Sequence, residues 1–174
     1  MSRDFDINSP GDIFDSRDVI ERFEELQVEH DLLQEAIDEA AEAVDVAKGE
    51  VEDAERGEGS MVDPIAAEAA LGLAEANLKE AETAMETWTD YEEFAALKSF
   101  VDEASGYGEW DHGETFIADS HFEDYAQELA EDIGAVKRNA EWPYTCIDWK
   151  AAAEELKADY TSYEINGSTY WARS

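Results

Sequence analysis

Apolar residues recur at alternating spacings of four and three along two stretches of the N-terminal half. This spacing places apolar side chains on one seam of an α-helix, as in a coiled coil, and leaves the remaining positions to solvent. It predicts a long helix over 16–56 and a second helix that begins at Pro64. The seam positions are Val19, Phe23, Leu26, His30, Leu33, Ile37, Ala40, Val44, Ala47, Val51 and Ala54 in the first helix, and Ala67, Leu71, Ala74, Leu78, Ala81, Met85 and Trp88 in the second.

The stretch between the two seams predicts a turn. RGEGSMVD contains two glycines, and Asp63 followed by Pro64 is typical of an N-cap and a first helical residue. Asp15 is the corresponding N-cap candidate of the first helix. Alanines alternate along the second seam and allow close helix approach, so we predict an antiparallel hairpin over 15–88. A thin hairpin buries little surface alone, and we therefore expect a homodimer or docking on the C-terminal part.

The C-terminal part combines short helical patterns with β-rich runs. Helices are predicted after Thr89, Ser120 and Asp148, and a short strand over 115–118. TSYEI and STYWAR flank Asn166-Gly167, the strongest hairpin signal in the chain. The predicted fold is therefore α+β and mostly helical, with a coiled-coil-like helical hairpin followed by a small α+β module that ends in a β-hairpin. The expected division is a flexible segment over 1–14, the hairpin over 15–88 and the module over 89–174.

The net charge says more about function than any sequence motif does. The 174 residues include 46 Asp and Glu against 12 Lys and Arg, a net charge of -34. Such a chain repels phosphate, which disfavours direct binding to nucleic acid or to an anionic membrane and favours cationic partners. The apolar fraction of 44% and the aromatic fraction of 11% exceed those of a disordered acidic tail. Because the acids alternate with periodic apolar residues, they are expected to coat folded elements.

The sequence indicates an intracellular location. No apolar run approaches the roughly 18 residues of a membrane span, and the first residues lack the pattern of a signal peptide. The single cysteine, Cys146, excludes an intramolecular disulfide. We therefore expect the cytoplasm, or the host cytoplasm if the protein is encoded by a phage.

The sequence contains little evidence for a catalytic or a metal site. His30, His112 and His121 are dispersed, and Cys146 has no CxxC partner, so no metal site is predicted. Cys146, in an aromatic context, is expected to be a small buried residue. There is no GxSxG motif, phosphate-binding glycine loop or dinucleotide fingerprint, and among 46 acids any carboxylate pair is expected by chance. We therefore expect neither an enzyme nor a cofactor.

The charge density is comparable to that of DNA. At about one charge per 1.7 Å, 34 charges correspond to about 58 Å of duplex, and a helix of about 40 residues is about 60 Å long. This favours a surface that mimics DNA. Two alternatives stay open. One is an acidic adaptor or structural phage protein that dimerises through its heptad helices and binds a protein partner through its aromatic C-terminal module. The other is halophilic adaptation.

Acids on the outer helical positions are the candidate partner-binding residues. Since the interaction would be distributed, reversing four or five charges on one face should weaken it where a single change barely does. The candidates are Glu21, Glu24, Glu25, Asp31, Glu35, Asp38, Glu39, Glu42 and Asp45 in the first helix, and Asp124, Glu128, Glu131 and Asp132 in the helix after Ser120.

Two stretches carry a family resemblance. They are DIFDSRDVIERFEELQ and the tail from ETFIADSHFEDYAQELAEDIGAV through WPYTCIDWKAAAEELKADYTSYEINGSTYWAR. They resemble phage-encoded antirestriction-like proteins, and the tail is similar, to a lesser degree, to ArdA-type antirestriction proteins. The tail positions concerned are Phe122, Tyr125, Trp142, Pro143, Asp148, Trp149, Asp159, Tyr160, Gly167, Tyr170 and Trp171.

The resemblance implies a DNA mimic that inhibits a DNA-binding host defence protein. A type I restriction-modification enzyme is the expected partner, and a CRISPR effector or another DNA-binding host factor stays open. The helical hairpin at 57–88 has no counterpart in the ArdA type.

Overall fold

The computed structural model describes residues 5–56, 63–106, 109–137 and 141–173. Their fold is α+β and mostly helical, as predicted. The chain divides into two compact units. The sheet unit is Met1–Glu24 together with Glu92–Ser174, and the hairpin unit is Glu25–Tyr91.

Two long helices form the hairpin, and both begin at the predicted caps. Helix α1 spans Ser16–Arg56 and helix α2 spans Pro64–Glu86. The backbone N–H of Arg17 donates to Asp15 Oδ1 at 2.9 Å. The backbone N–H of Ile65 donates to Asp63 Oδ1 at 3.1 Å. Each carboxylate satisfies a helix N–H that has no partner within its own helix.

The predicted seam is confirmed along both helices. Every seam residue is buried or half-buried, and all other residues of α2 are exposed. Val44 and Ala47 of α1 form a buried cluster with Ala74 of α2, against which Leu71 and Leu78 pack. The hairpin is therefore held by interdigitating apolar side chains along one stripe of each helix.

Contacts between residues of the two arms of the hairpin show that its helices are antiparallel, as predicted. Trp88 Nε1 donates to Glu29 Oε2 at 3.2 Å, whereas Val44 lies beside Ala74. The Trp88 ring is tilted against half-buried His30, with ring centroids 6.2 Å apart. His30 therefore packs as part of the seam.

A four-stranded antiparallel sheet has the order β1-β2-β4-β3. Asn166 and Gly167 join β3 to β4 with φ of 48° and 77°. Two successive positive φ values are what a two-residue hairpin turn requires, which explains the Asn-Gly pair. The predicted strand over 115–118 and the C-terminal hairpin are thus confirmed. The strands are β1 Ile13–Asp15, β2 Thr115–Ala118, β3 Tyr160–Ile165 and β4 Ser168–Arg173.

One face of the sheet carries an aromatic core. Phe14 of β1 stacks on Phe116 of β2 with centroids 5.0 Å apart. Phe100 and Trp110 meet the Phe116 ring edge to face at 5.2 and 6.0 Å. The helices that supply these two side chains are α3 Tyr91–Ala104 and α4 Trp110–Gly113.

The opposite face packs against two further helices. Ile117 of β2 and Tyr160 of β3 form a buried cluster with Phe122, Ala126 and Ala153. The helices concerned are α5 Phe122–Asp132 and α6 Trp149–Leu156. Short 3₁₀ turns lie at Asp119–His121, Tyr144–Cys146 and Lys157–Asp159. The sheet is thus enclosed between helical layers.

The prediction of a flexible segment over 1–14 does not hold for residues 5–14. Phe5, Ile7 and Phe14 are buried, and Ile13 pairs with Ile117. Residues 1–4 lie outside the described part of the chain. A three-residue strand has too few positions to show periodicity, and its partner lies about a hundred residues away in the sequence.

The division of the chain lies elsewhere than the expected 15–88 and 89–174. The first nine residues of α1 belong to the sheet unit. There Phe23 stacks on Phe94 at 5.8 Å, and Arg22 Nη2 lies 2.7 Å from Glu93 Oε2. A seam that continues unbroken along one helix does not reveal where its packing partner changes.

Cys146, which was expected to be buried, and the large apolar side chain of Ile133 both lie at the surface. Cys146 is exposed, because it lies in a 3₁₀ turn on the surface. Ile133, which helical spacing places with the apolar face of α5, is 71% exposed because the helix ends at Asp132. Among the helices of the described ranges, none is both long and apolar enough to span a bilayer.

Candidate functional site

The hairpin unit carries a disproportionate share of the charge. Glu25–Tyr91 contains 20 Asp and Glu against 3 Lys and Arg, a net charge of -17. That is half of the total of -34 in 67 of the 174 residues. This unit is therefore the first candidate for binding a cationic partner.

Carboxylates repeat at every seventh position on both helices. Seven residues make about two helical turns and rise about 10.5 Å, so the members of a row point in nearly the same direction. All of them are exposed. The row on α1 is Asp31, Asp38, Asp45 and Glu52, and the row on α2 is Glu68, Glu75 and Glu82.

The two rows lie on the same flank of the hairpin. Each row residue directly follows a seam position, as Asp45 follows Val44 on α1 and Glu75 follows Ala74 on α2. One residue turns a helix by about 100°, and in two antiparallel helices with facing seams that turn leads to the same side. We call this surface the carboxylate flank.

The other flank is an apolar groove between α1 and α2. Its volume is about 520 Å³. Val46 and Leu73 are 58% and 64% exposed there. The other lining residues are Ala43, Ala47, Ala70, Ala74 and Asn77, with Glu39, Glu42 and Glu50 on α1. The two sides of the hairpin therefore differ in that the groove combines carboxylates with exposed apolar side chains, whereas the rows on the carboxylate flank are carboxylates alone.

Two glutamines orient carboxylates of the α1 row. Gln27 Nε2 donates to Asp31 Oδ1 at 2.7 Å, and Gln34 Nε2 donates to Asp38 Oδ1 at 3.0 Å. A neutral amide restricts the carboxylate without cancelling its charge. Sequence reasoning missed these contacts, although QxxxD occurs twice at a seven-residue interval.

The end of the α1 row is different. Arg56 Nη2 lies 3.0 Å from Glu52 Oε2, and Arg56 Nη1 lies 3.4 Å from Asp53 Oδ1. All three side chains are more than 60% exposed. Exposed ion pairs of this kind contribute at most about 1 kcal/mol and exchange readily. Asp31, Asp38 and Asp45 are therefore the main charges of this row.

The predicted partner-binding acids are placed on both units. Twelve of the thirteen are exposed, and Glu131 is half-buried. The hairpin unit holds seven of them, of which Asp31, Asp38 and Asp45 belong to the carboxylate flank. The other four there are Glu25, Glu35, Glu39 and Glu42. The sheet unit holds Glu21 and Glu24 of α1 together with Asp124, Glu128, Glu131 and Asp132 of α5.

The structure adds acids that the prediction did not include. Glu52 extends the α1 row, and Glu68, Glu75 and Glu82 form the α2 row. The signal was present, since these α2 acids follow seam alanines at a fixed interval. It becomes informative only once the two helices are known to present those positions on one flank.

Neither metal chemistry nor known relatives supply a further guide. Within the described ranges, no three His, Cys, Asp or Glu side chains are grouped so that they could hold a metal ion. Comparisons of the chain with protein-family models, with curated proteins and with solved structures find no match. The carboxylate flank is thus the feature from which function is inferred.

Proposed function

We propose that the protein is an acidic DNA mimic that inhibits a DNA-binding host defence enzyme by occupying its DNA groove. The observation that carries this proposal is the pair of exposed carboxylate rows on one flank of the hairpin unit. The expected target is a type I restriction-modification enzyme, and a CRISPR effector is the next candidate. The protein itself performs no catalysis in this proposal.

The spacing of the rows suits a surface built to bind phosphate. Successive phosphates of one B-DNA strand are about 3.4 Å apart along the axis, so three steps cover about 10.2 Å. One seven-residue repeat of an α-helix covers about 10.5 Å. Each row carboxylate can therefore stand for about every third phosphate of a strand.

The density of carboxylates along α1 supports the same proposal. Its part in the hairpin unit, 25–56, contains 12 acids in 32 residues. At about 1.5 Å per residue this is about one carboxylate per 4 Å, close to the charge density of a single strand. Lys and Arg of a DNA groove would find acceptors at phosphate-like intervals.

Binding follows from this chemistry. Arg and Lys make charge-assisted hydrogen bonds to carboxylates as they do to phosphates, and an Arg fork can engage both oxygens. Because Asp31 and Asp38 accept hydrogen bonds from glutamines, these two carboxylates have less side-chain freedom to lose on binding. The net charge would steer the inhibitor to a basic groove and speed association.

The test is a competition assay with matched charge variants. Labelled duplex bound to a purified type I restriction-modification enzyme should be displaced by the protein at near-stoichiometric amounts. The flank variant is Asp38→Asn, Asp45→Asn, Glu68→Gln and Glu75→Gln. The control variant, Asp102→Asn, Glu103→Gln, Glu155→Gln and Asp159→Asn, removes the same charge from exposed sites of the sheet unit.

The flank variant should raise the half-maximal inhibitory concentration about tenfold or more, whereas the control should change it less than about threefold. Equal effects of the two variants would mean that inhibition depends on net charge alone and not on the arrangement of the carboxylates. Binding that duplex DNA does not compete with would contradict mimicry itself.

A second candidate function is an acidic adaptor, and the apolar groove favours it. A surface that mimics DNA does not need exposed apolar side chains, yet Val46 and Leu73 are exposed. An amphipathic basic helix would suit the groove, with apolar residues on Val46 and Leu73 and Lys or Arg beside Glu42 and Glu50. Trp142, which is 80% exposed, gives the sheet unit an aromatic side chain for such a partner.

The two candidates respond differently to one variant. Val46→Ser with Leu73→Ser removes apolar area from the groove and leaves both carboxylate rows intact. An adaptor should lose affinity for its partner, whereas a mimic should displace duplex DNA as before. Displacement of DNA that depends on these two residues would favour the groove over the carboxylate flank.

A further inference from the structure

The sheet unit contains a cleft at the beginning of β2 that is independent of the carboxylate flank. Its volume is about 440 Å³, within the range of small-molecule sites, roughly 300–1,000 Å³. Glu109, Glu114, Tyr125, Tyr160 and Arg173 are among its lining residues. None of them belongs to the proposed mimic surface.

Glu114 is the unusual member of this set. It is only 6% exposed, and its Oε2 is buried with no hydrogen-bond partner among the described residues. Carboxylates are rarely buried without a partner, because ionised oxygens lose water and gain nothing in return. Glu114 thus places a buried carboxyl group on the wall of a cleft, and a group bound there could supply the counter-charge that the protein itself does not.

The main chain at Glu114 is fixed in place. Its N–H donates to Ser16 Oγ at 2.8 Å, and its C=O accepts from Ser16 N–H at 2.8 Å. Ser16 is fully buried, and its hydroxyl donates to the carbonyl of Trp110 at 2.6 Å. The start of α1, α4 and β2 are thus joined at one point, so Glu114 cannot reach solvent by a small shift of its backbone.

The surroundings make the carboxylate costly to ionise. Burial raises the pKa of Glu114, and the nearby Glu109 carboxylate raises it further. Arg173 is exposed, on the strand position paired with Tyr160. A cation placed between the two acids would remove both the desolvation penalty and the mutual repulsion.

Two phenols complete the lining. Tyr125 Oη and Tyr160 Oη lie 2.9 Å apart and form one hydrogen bond. That bond uses one of the two phenolic protons, so the pair retains one further donor. A cation over the face of either ring would be favoured.

An organic cation fits these groups better than a metal ion does. Calcium takes six to eight oxygen ligands and magnesium about six, whereas this cleft offers two carboxylates. A flat or tetrahedral organic cation needs a single counter-ion and apolar or aromatic contact for its alkyl part. The net charge of -34 also enriches cations and repels anions around the whole chain.

We propose that the cleft binds an alkylguanidinium or alkylammonium group, with Glu114 as its counter-ion. The group could be carried by a free small-molecule amine or by an Arg or Lys side chain of a protein. Both sources share the chemistry that Glu114, Tyr125 and Tyr160 recognise.

The test is an amide NMR titration of the full chain at physiological salt. The probes are agmatine, the capped peptide acetyl-Gly-Arg-Gly-amide, and its citrulline analogue, a neutral isostere. At least one cationic probe should cause saturable shifts at Gly113, Glu114 and Thr115, and the citrulline peptide should not. Saturation with agmatine alone assigns a free amine, and saturation with the arginine peptide alone assigns a protein side chain.

Three variants make the result specific. Glu114→Gln should weaken binding about tenfold, whereas Glu155→Gln, which removes an equal charge from an exposed helix position, should leave it within about twofold. Arg173→Gln should tighten binding about threefold, because it removes a competing positive charge from an exposed edge. This variant keeps the proposal testable if Glu114→Gln disturbs folding.

Non-saturating shifts spread over the exposed acids would overturn the site, since they indicate counter-ions attracted by net charge. Saturable binding that Glu114→Gln leaves unchanged would overturn it as well. Because the cleft shares no residue with the carboxylate flank, failure here leaves the DNA competition result unaffected, and the reverse also holds.

Discussion

Three carboxylates show how the same chemical group is put to different use by its surroundings. Asp31 is exposed, and its Oδ1 accepts from the neutral Gln27 amide and lies 3.3 Å from His30 Nδ1, so the carboxylate stays at the surface. Asp119 accepts hydrogen bonds from Lys157 Nζ at 2.6 Å and from Trp171 Nε1 at 2.7 Å, which lower its pKa. Glu114 is buried without such donors, and its pKa is raised. Asp31 belongs to the proposed recognition surface, Asp119 supports the sheet unit, and Glu114 lines the cleft of the proposed cation site.

The raised pKa of Glu114 predicts that Glu114→Gln increases the free energy of unfolding, by an amount that depends on pH. The carboxyl has an ordinary pKa of 4.5, so between that value and the raised one the folded chain retains a proton that the unfolded chain has lost. The stabilisation that this proton provides is complete below about pH 4 and is lost as pH rises through the folded-state pKa.

At pH 7 the Glu114→Gln variant should therefore be more stable than the native chain, by about 1 kcal/mol. The gain should vanish near pH 4, where both chains carry a neutral side chain. Urea unfolding at the two pH values measures this, with Glu155→Gln as control. A gain of equal size at both values would show that burial of the charge is not its cause.

Gly113 makes a second prediction at the scale of one residue. Its φ is +101°, and an added Cβ would lie 2.8 Å from Arg17 Nε. The Arg17 guanidinium is held by two hydrogen bonds from Nε and Nη2 to Asp15, at 2.9 and 2.8 Å. Gly113→Ala should thus cost about 2 kcal/mol from backbone strain, and the exposed Arg17 guanidinium must shift as well.

Gly134 is the matched control for this substitution. Its φ is +76°, but no atom lies within 4 Å of the position that a Cβ would take. Gly134→Ala should cost about 1 kcal/mol, from backbone strain alone. Thermal or urea unfolding of both variants isolates the contact with Arg17, and equal losses would argue against it.

At the scale of the element, the hairpin separates two functions on the same helices. The seam residues stabilise the pair, and the residues that flank the seam set its surface chemistry. Val44 and Val46 illustrate the separation, since they are two positions apart and 5% and 58% exposed. Stability and surface chemistry can therefore be altered independently along α1.

This separation predicts opposite outcomes for the same chemical change. Val44→Ala should lower the free energy of unfolding by about 2 kcal/mol, because it empties space in the cluster with Ala47 and Ala74. Val46→Ala should change it by less than about 0.5 kcal/mol. Urea unfolding followed by circular dichroism is the measurement, and a comparable loss for Val46→Ala would mean that the groove is covered in solution.

The same scale shows which elements could be predicted from the sequence. The heptad seams, the caps at Asp15 and Asp63 and the turn at Asn166-Gly167 were predictable, because each depends on residues within a few positions of one another. Strand β1 and the site of division along α1 were not. Both depend on partners about 70 to 100 residues away, whose nearness no local pattern reveals.

At the scale of the whole molecule, the charge acts in opposite ways on stability and on binding. Self-repulsion among an excess of 34 negative charges destabilises the folded chain, and added salt screens it. Salt also screens the attraction between carboxylates and a basic groove. Added salt should therefore stabilise the free protein and weaken its complex.

Increasing sodium chloride should therefore raise the melting temperature of the free chain while lowering its affinity for the restriction-modification enzyme. The first is followed by circular dichroism and the second by competition with labelled duplex. Loss of helical structure in low salt would instead support halophilic adaptation. Affinity that does not fall with salt would contradict an electrostatic mimic.

The helical seams, the β-hairpin turn, the acidity and the alternation of acids with apolar positions follow from the amino-acid sequence, because they are properties of near neighbours and of composition. The tertiary structure alone decided which acids share a flank, how β1 joins the sheet and where a carboxylate is buried. The Ser16 hydroxyl and the Glu114 N–H are separated by 98 residues and form one hydrogen bond. Burial and partnership of this kind arise from packing between distant segments, which local periodicity cannot encode.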